Sequence, residues 1–157
     1  MERTAISIRV ASAEPTITSQ ATRPGGFDFI AGDMPLDSAS RSLPPSHIGP
    51  ESHHAIRNPQ LLFAADGSSP DRLVHATVDL RHWADFVTMY AVDGRYLTLP
   101  CRALACVEVN HIGDDATPEI AATANPRGEA SGDEPHARSA RPIPPGPLAS
   151  PAAWRWK

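Results

Sequence analysis

Apolar and polar positions are unevenly distributed along this chain. Residues 71–112, DRLVHATVDLRHWADFVTMYAVDGRYLTLPCRALACVEVNHI, hold both cysteines, both tyrosines and one of three tryptophans. Within them Val87, Thr88, Met89, Tyr90, Ala91 and Val92 are rich in β-branched and aromatic residues, as are Arg95, Tyr96, Leu97, Thr98 and Leu99. Asp93-Gly94 lies between the two runs and suits a tight type I′ turn, so a β-hairpin is predicted over residues 87–99. Pro100 ends it, because proline cannot donate to a ladder, and residues 103–109 form the following strand. Upstream, Asp79 caps a short predicted helix in which Leu80, Trp83, Ala84 and Val87 follow helical spacing. The result is a small α+β domain.

Elsewhere the pattern is sparser. Ile6, Ile8 and Val10 alternate with Ser7 and Arg9, the mark of a half-buried edge strand. Arg23-Pro24-Gly25-Gly26 reads as a break, and Phe27 to Ile30 restart apolar sequence. Residues 42–58, with Pro44, Pro45 and Pro50, read as a loop-rich insertion. Leu61 to Ala65 read as a short buried strand. Ser69-Pro70 suits a helix start, and the residues after it fit helix or strand equally. Residues 113–150 contain no aromatic side chain and cannot bury enough apolar surface to offset ordering, about 1–2 kcal/mol per residue. The predicted division is an N-terminal strand and linker (1–26), the α+β domain (27–112) and a disordered tail (113–157).

Composition changes this picture little. The 157 residues carry a net charge of -4, which offers no argument for nucleic acid. Thirteen arginines stand against one lysine, Lys157, as expected of a GC-rich bacterial genome. Two cysteines make no disulfide framework, no apolar run is long enough to span a bilayer, and the first residues lack a signal-peptide core. A cytoplasmic location is the expectation. A free strand edge leaves dimerisation open.

Candidate chemistry is thin. Cys101, Cys106 and His111 are zinc-ligand types, with His75 or His82 as a fourth, but their spacing is not that of a zinc knuckle, and Cys106 in a strand is ordinarily a small hydrophobe. No cofactor is otherwise implied. His47, His53 and His54 form a histidine-rich patch whose bland reading is a solvated loop. Asp79, His82 and Asp85 would line one face of the predicted helix, as a polar rim or as a plain solvated face. Walker, dinucleotide, G-x-S-x-G and HExxH signatures are absent. In the tail, Arg141, Pro144 and Pro147 match a polyproline ligand, and Trp154 and Trp156 are residue types common in binding anchors, so a protein partner through the tail is the expectation.

Phe27-Asp28-Phe29-Ile30-Ala31-Gly32-Asp33-Met34-Pro35-Leu36-Asp37, with the later Asp79-Leu80-Arg81-His82-Trp83, resembles the ABATE domain of the CGNR zinc-finger family of stress-related transcription regulators. No C-G-N-R finger is present. Residues 27–43 and 87–99 also look like the short periplasmic domain that precedes TonB-dependent receptors and secretins. The first resemblance implies a regulatory binding domain without its DNA-reading part. With no catalytic signature, the expected function is a regulatory or interaction module. The competing expectations are a metal-dependent enzyme using the cysteines and histidines, or a chain with no stable independent function.

Overall fold

A computed structural model describes residues 3–8, 17–37, 39–44, 47–65, 69–97 and 100–125. Six strands, β1 (Arg3–Ile6), β2 (Ala21–Pro24), β3 (Asp28–Asp33), β4 (Leu73–Leu80), β5 (Ala103–Glu108) and β6 (Pro118–Ala124), form one sheet in the order β1-β2-β3-β6-β4-β5. Neighbours are antiparallel except β4 and β5. Helices α1 (Ile48–Ala65) and α2 (Phe86–Asp93) pack on one face. The mixed α+β class expected from the sequence is what is found.

Several local expectations are corrected. Residues 86–93 form α2 rather than half of a hairpin. Their β-branched and aromatic composition favours a strand, yet Phe86, Met89 and Val92 recur at helical spacing and pack into the core, with Met89 fully buried. Asp93-Gly94 ends this helix: Gly94 has φ -58° and its N–H donates to Tyr90 O, so no positive φ is used there. A parallel pair needs a crossover rather than a tight turn, and α2 supplies it between β4 and β5. The tight turn lies instead at Gly25 and Gly26, both with positive φ (61° and 87°), which turn β2 back onto β3. Asp79 caps no helix; it lies in β4.

Residues 48–65 are helical where a loop and a short strand were expected. Ile48, Ser52, Ala55, Ile56, Pro59, Leu62 and Phe63 form its buried stripe. That stripe is interrupted by polar and small residues and contains a helix-breaking proline, which obscures its period. β6 is the largest correction. It falls in the segment expected to be disordered, yet it sits between β3 and β4 in the middle of the sheet. Pro118, Ile120, Ala122 and Ala124 are buried at period two. Small side chains suffice here because Phe63 and Leu62 of α1 fill the space above them. α1 is also tied down by polar contacts: buried Glu51 accepts a hydrogen bond from Thr117 N–H (2.6 Å), and Asn58 Nδ2 donates to the carbonyls of Met34 and Leu36.

Candidate active site

The face of the sheet away from the helices is lined by alternate residues of each strand. Phe29 (48% exposed) and Val107 (47%) lie on it. Ala121 and Thr77 are Cα partners in its centre, and Glu119 and Asp79 are partners one step along. Asp79 stands between Val78 and Leu80, and Glu119 between Pro118 and Ile120; those four neighbours are buried toward the helices, so both carboxylates project from the open face.

Beside them β3 is irregular. Ile30 pairs with Ala122 and Asp33 with Ile120, so three steps on β3 match two on β6 and one extra residue is accommodated at Ala31-Gly32. Bulges of this kind re-aim side chains and are common next to active sites. Glu119 lies directly over Gly32. At the same end of the sheet Arg81 Nη1 donates to Asp115 Oδ1 (3.1 Å) and to its carbonyl. The site therefore presents one glutamate over a bulge, a second carboxylate one strand away, and a floor of alanine and threonine. A carboxylate in such a place can take a proton from water and return it to a leaving group.

A second polar feature lies on the helix side. Arg102 Nη2 donates to both carboxylate oxygens of Asp93 (2.8 Å each), with both side chains buried. Among the described residues Arg102 Nε is buried without a partner. A cavity of about 20 Å³ lies beside it, room for one water.

The residues singled out from sequence are dispersed. Cys101 is exposed ahead of β5; Cys106 faces the helices and packs against the core. About 16 Å of extended chain separates them. Burial, and then the charge of Asp79, pushes the Cys106 thiol up to about 11, which holds it protonated. His111 is exposed beyond β5. Among the described residues no three His, Cys, Asp or Glu side chains converge on a metal position. Asp79, His82 and Asp85 do not share a helix face, because β4 ends at Leu80 and a short 3-10 turn starts at Trp83. His53 Nδ1 is 2.6 Å from Tyr96 OH, His54 is half-exposed and His47 exposed. Arg141, Pro144, Pro147, Trp154 and Trp156 lie outside the described residues. Glu119 went unnoticed in the sequence because its strand was read as tail; the alternation from Pro118 to Ala124 was the available signal.

A sequence model of the family described as endoribonuclease L-PSP matches residues 12–125. The chain belongs to the endoribonuclease L-PSP family. Among family relatives, a RutC family protein of Pyrococcus horikoshii is 31% identical over 106 residues, covering 68% of this chain and 84% of its own length. The 3-aminoacrylate deaminase RutC of Acinetobacter baylyi is 25% identical over 105 residues, covering 67% and 83%. Among solved structures, E. coli TdcF with bound serine superimposes with a TM-score of 0.74 at 22% identity, covering 80% of this chain and 99% of that one. RidA from the Antarctic bacterium Psychrobacter sp. PAMC 21119 gives 0.74 at 24%, covering 78% and 98%. L-PSP membership overturns the resemblance to the ABATE domain, and with it the likeness to the receptor-associated domain. The F-x-F-x-x-G-D run that carried the resemblance is β3 and its bulge. The expected regulatory module is overturned by the same match, which places the chain in a family that includes a deaminase. Among the described residues no helix is long and apolar enough to cross a membrane.

Proposed function

We propose that this protein is a hydrolytic deaminase of a small enamine or imine acid, with Glu119 as the group that handles the proton of the attacking water. The observation that carries this reading is the similarity to a 3-aminoacrylate deaminase over two thirds of the chain. The open-face geometry is consistent with it. An enamine acid protonated on carbon becomes an iminium. Water adds to the iminium carbon as a base removes one of its protons. That proton is returned to the amino group, which leaves as ammonia, and the remaining hydroxyl proton goes to solvent as the carbonyl forms, replacing the proton that solvent gave to carbon. These steps are redox-neutral and turn on proton transfer, the task for which a positioned carboxylate is suited. An iminium is a cation, and Glu119 with Asp79 gives it a favourable field. The same two carboxylates and the net charge of -4 oppose a polyanion such as RNA.

Among the described residues nothing covers the open face. Small sites are enclosed on most sides, so this reading includes self-association of the protein over that face. A cytoplasmic location belongs to the same reading and suits the two free thiols. The test is ammonia release from 3-aminoacrylate, measured against its spontaneous hydrolysis. Wild type accelerates release, and Glu119→Gln loses about 100-fold or more. No acceleration by wild type, or full activity in Glu119→Gln, refutes the reading.

A further inference from the structure

Gly32 is not explained by backbone conformation. Among the described glycines only Gly25 and Gly26 have positive φ. What a side chain at residue 32 would meet is the flexible end of Glu119, which would have to move aside. A Cβ placed there would overlap Glu119 Oε1 and would stand 2.8 Å from its carboxyl carbon and 3.2 Å from Cγ. Non-bonded carbons approach to about 3.5–4.0 Å, so these distances are repulsive. The carboxylate of Glu119 therefore rests against the backbone of the β3 bulge.

The alternative position for this side chain lies on the other side of β6. There its Cα partner is Asp79 of β4. Like charges directly opposite one another on neighbouring strands repel. We propose that Gly32 is a positioning residue for Glu119: the bulge and the missing Cβ give the carboxylate a seat on the β3 side and hold it apart from Asp79. Among the described residues, the charged groups near this point include Arg81, bonded to Asp115 just beyond β4, and Asp33, which is buried on the helix side of β3. Neither lies between Glu119 and Asp79 in the strand register. A β-carbon at residue 32 displaces the carboxylate toward Asp79. The proton affinity of Glu119 then rises, and with it the pH at which the base form becomes available.

This inference rests on the proposed role of Glu119, but its test does not need a substrate. Carboxyl-13C-labelled glutamate gives a titration curve for Glu119, assigned by its loss in Glu119→Gln. In folded Gly32→Ala the Glu119 midpoint moves up by about one unit, and adding Asp79→Asn removes that shift. An unchanged midpoint in folded Gly32→Ala, or a shift that survives Asp79→Asn, overturns the proposal. In ammonia release, Gly32→Ala lowers kcat by about tenfold or more and moves the acidic limb of the pH profile upward in parallel. If Gly32→Ala does not fold, the double variant with Glu119→Asp decides, because the shorter side chain no longer reaches over residue 32. Recovery of folding in the double variant supports the seat; failure of the double variant overturns it, since the glycine is then needed for another reason. A protein that shows the titration shift yet releases no ammonia refutes the proposed reaction and leaves the positioning intact.

Discussion

Replacing Asp93 by alanine removes one half of the buried ion pair on the helix side of the sheet. Asp93 is 2% exposed, and the Arg102 side chain is 5% exposed with its Nε already lacking a partner among the described residues. Arg102 cannot shed its proton, so the variant leaves an uncompensated cation in an apolar cavity wall formed by Phe63, Ile120 and Ala122 among others. Removing one partner of such a pair costs about 3–5 kcal/mol, a large share of the roughly 5–15 kcal/mol that holds a domain folded. With a urea slope of about 2 kcal/mol/M, the unfolding midpoint of Asp93→Ala falls by about 2 M. Replacing both partners, as Asp93→Leu with Arg102→Met, removes the stranded charge and the desolvation of both ions. The double variant is expected within about 1 kcal/mol of wild type. Urea unfolding followed by circular dichroism gives all three values, with the single variant measured at low temperature to keep it folded. A fall of less than about 0.5 M in Asp93→Ala would refute the reasoning. Arg102 would then have reached water through the neighbouring open groove at Arg72, Pro100 and Cys101.

The remaining predictions address the core, the helix anchor and the thiols. Phe63→Ala empties the contact of α1 with Ile30 of β3 and with the alanines of β2 and β6, and destabilises by about 3–5 kcal/mol in the same unfolding assay. Glu51→Ala leaves Thr117 N–H without its partner and costs about 1.5–3 kcal/mol, with faster amide exchange at Thr117. At pH 8, Ellman's reagent reacts quickly with Cys101 and slowly with Cys106, since one thiol is exposed and the other is half-buried and held protonated. The raised Cys106 value also gives a pH dependence. Stability from this group is intact below 9.0, the ordinary thiol value, and declines as pH rises through about 11. Cys106→Ala removes that part of the alkaline decline.

Local signals made part of this molecule legible. The apolar restart that became β3 and the strand after Pro100 were placed close to where they occur, and the N-terminal edge strand, expected over residues 5–10, lies at Arg3–Ile6. The α+β class was inferred from a helix, a hairpin and the strand after Pro100; the class is found, although the helix and the hairpin are not where they were expected. Asp93-Gly94 shows the limit of such signals: the same dipeptide serves a hairpin or the end of a helix, and the choice was made by Met89 and Val92 packing under α1. β6 shows it more strongly. Its alternation is regular, but alanine, threonine and one isoleucine carry too little apolar area to mark a central strand unless a helix lies close above.

The active-site proposal divides in the same way. Glycine at residue 32 and glutamate at residue 119 are properties of the chain. That one lies over the other, eighty-seven positions apart in sequence, is a product of the pairing of β3 with β6 and of one extra residue in β3. The sequence by itself determined which short segments alternate, where glycine permits a turn, and the net charge of -4. Tertiary structure decided which apolar face is covered, that Asp79 and Glu119 stand side by side on the open one, and that Arg102 is neutralised by Asp93. Local preference amounts to tenths of a kcal/mol per residue, whereas burial and ion pairing amount to several. Contacts distant in sequence therefore override local preference when the two disagree.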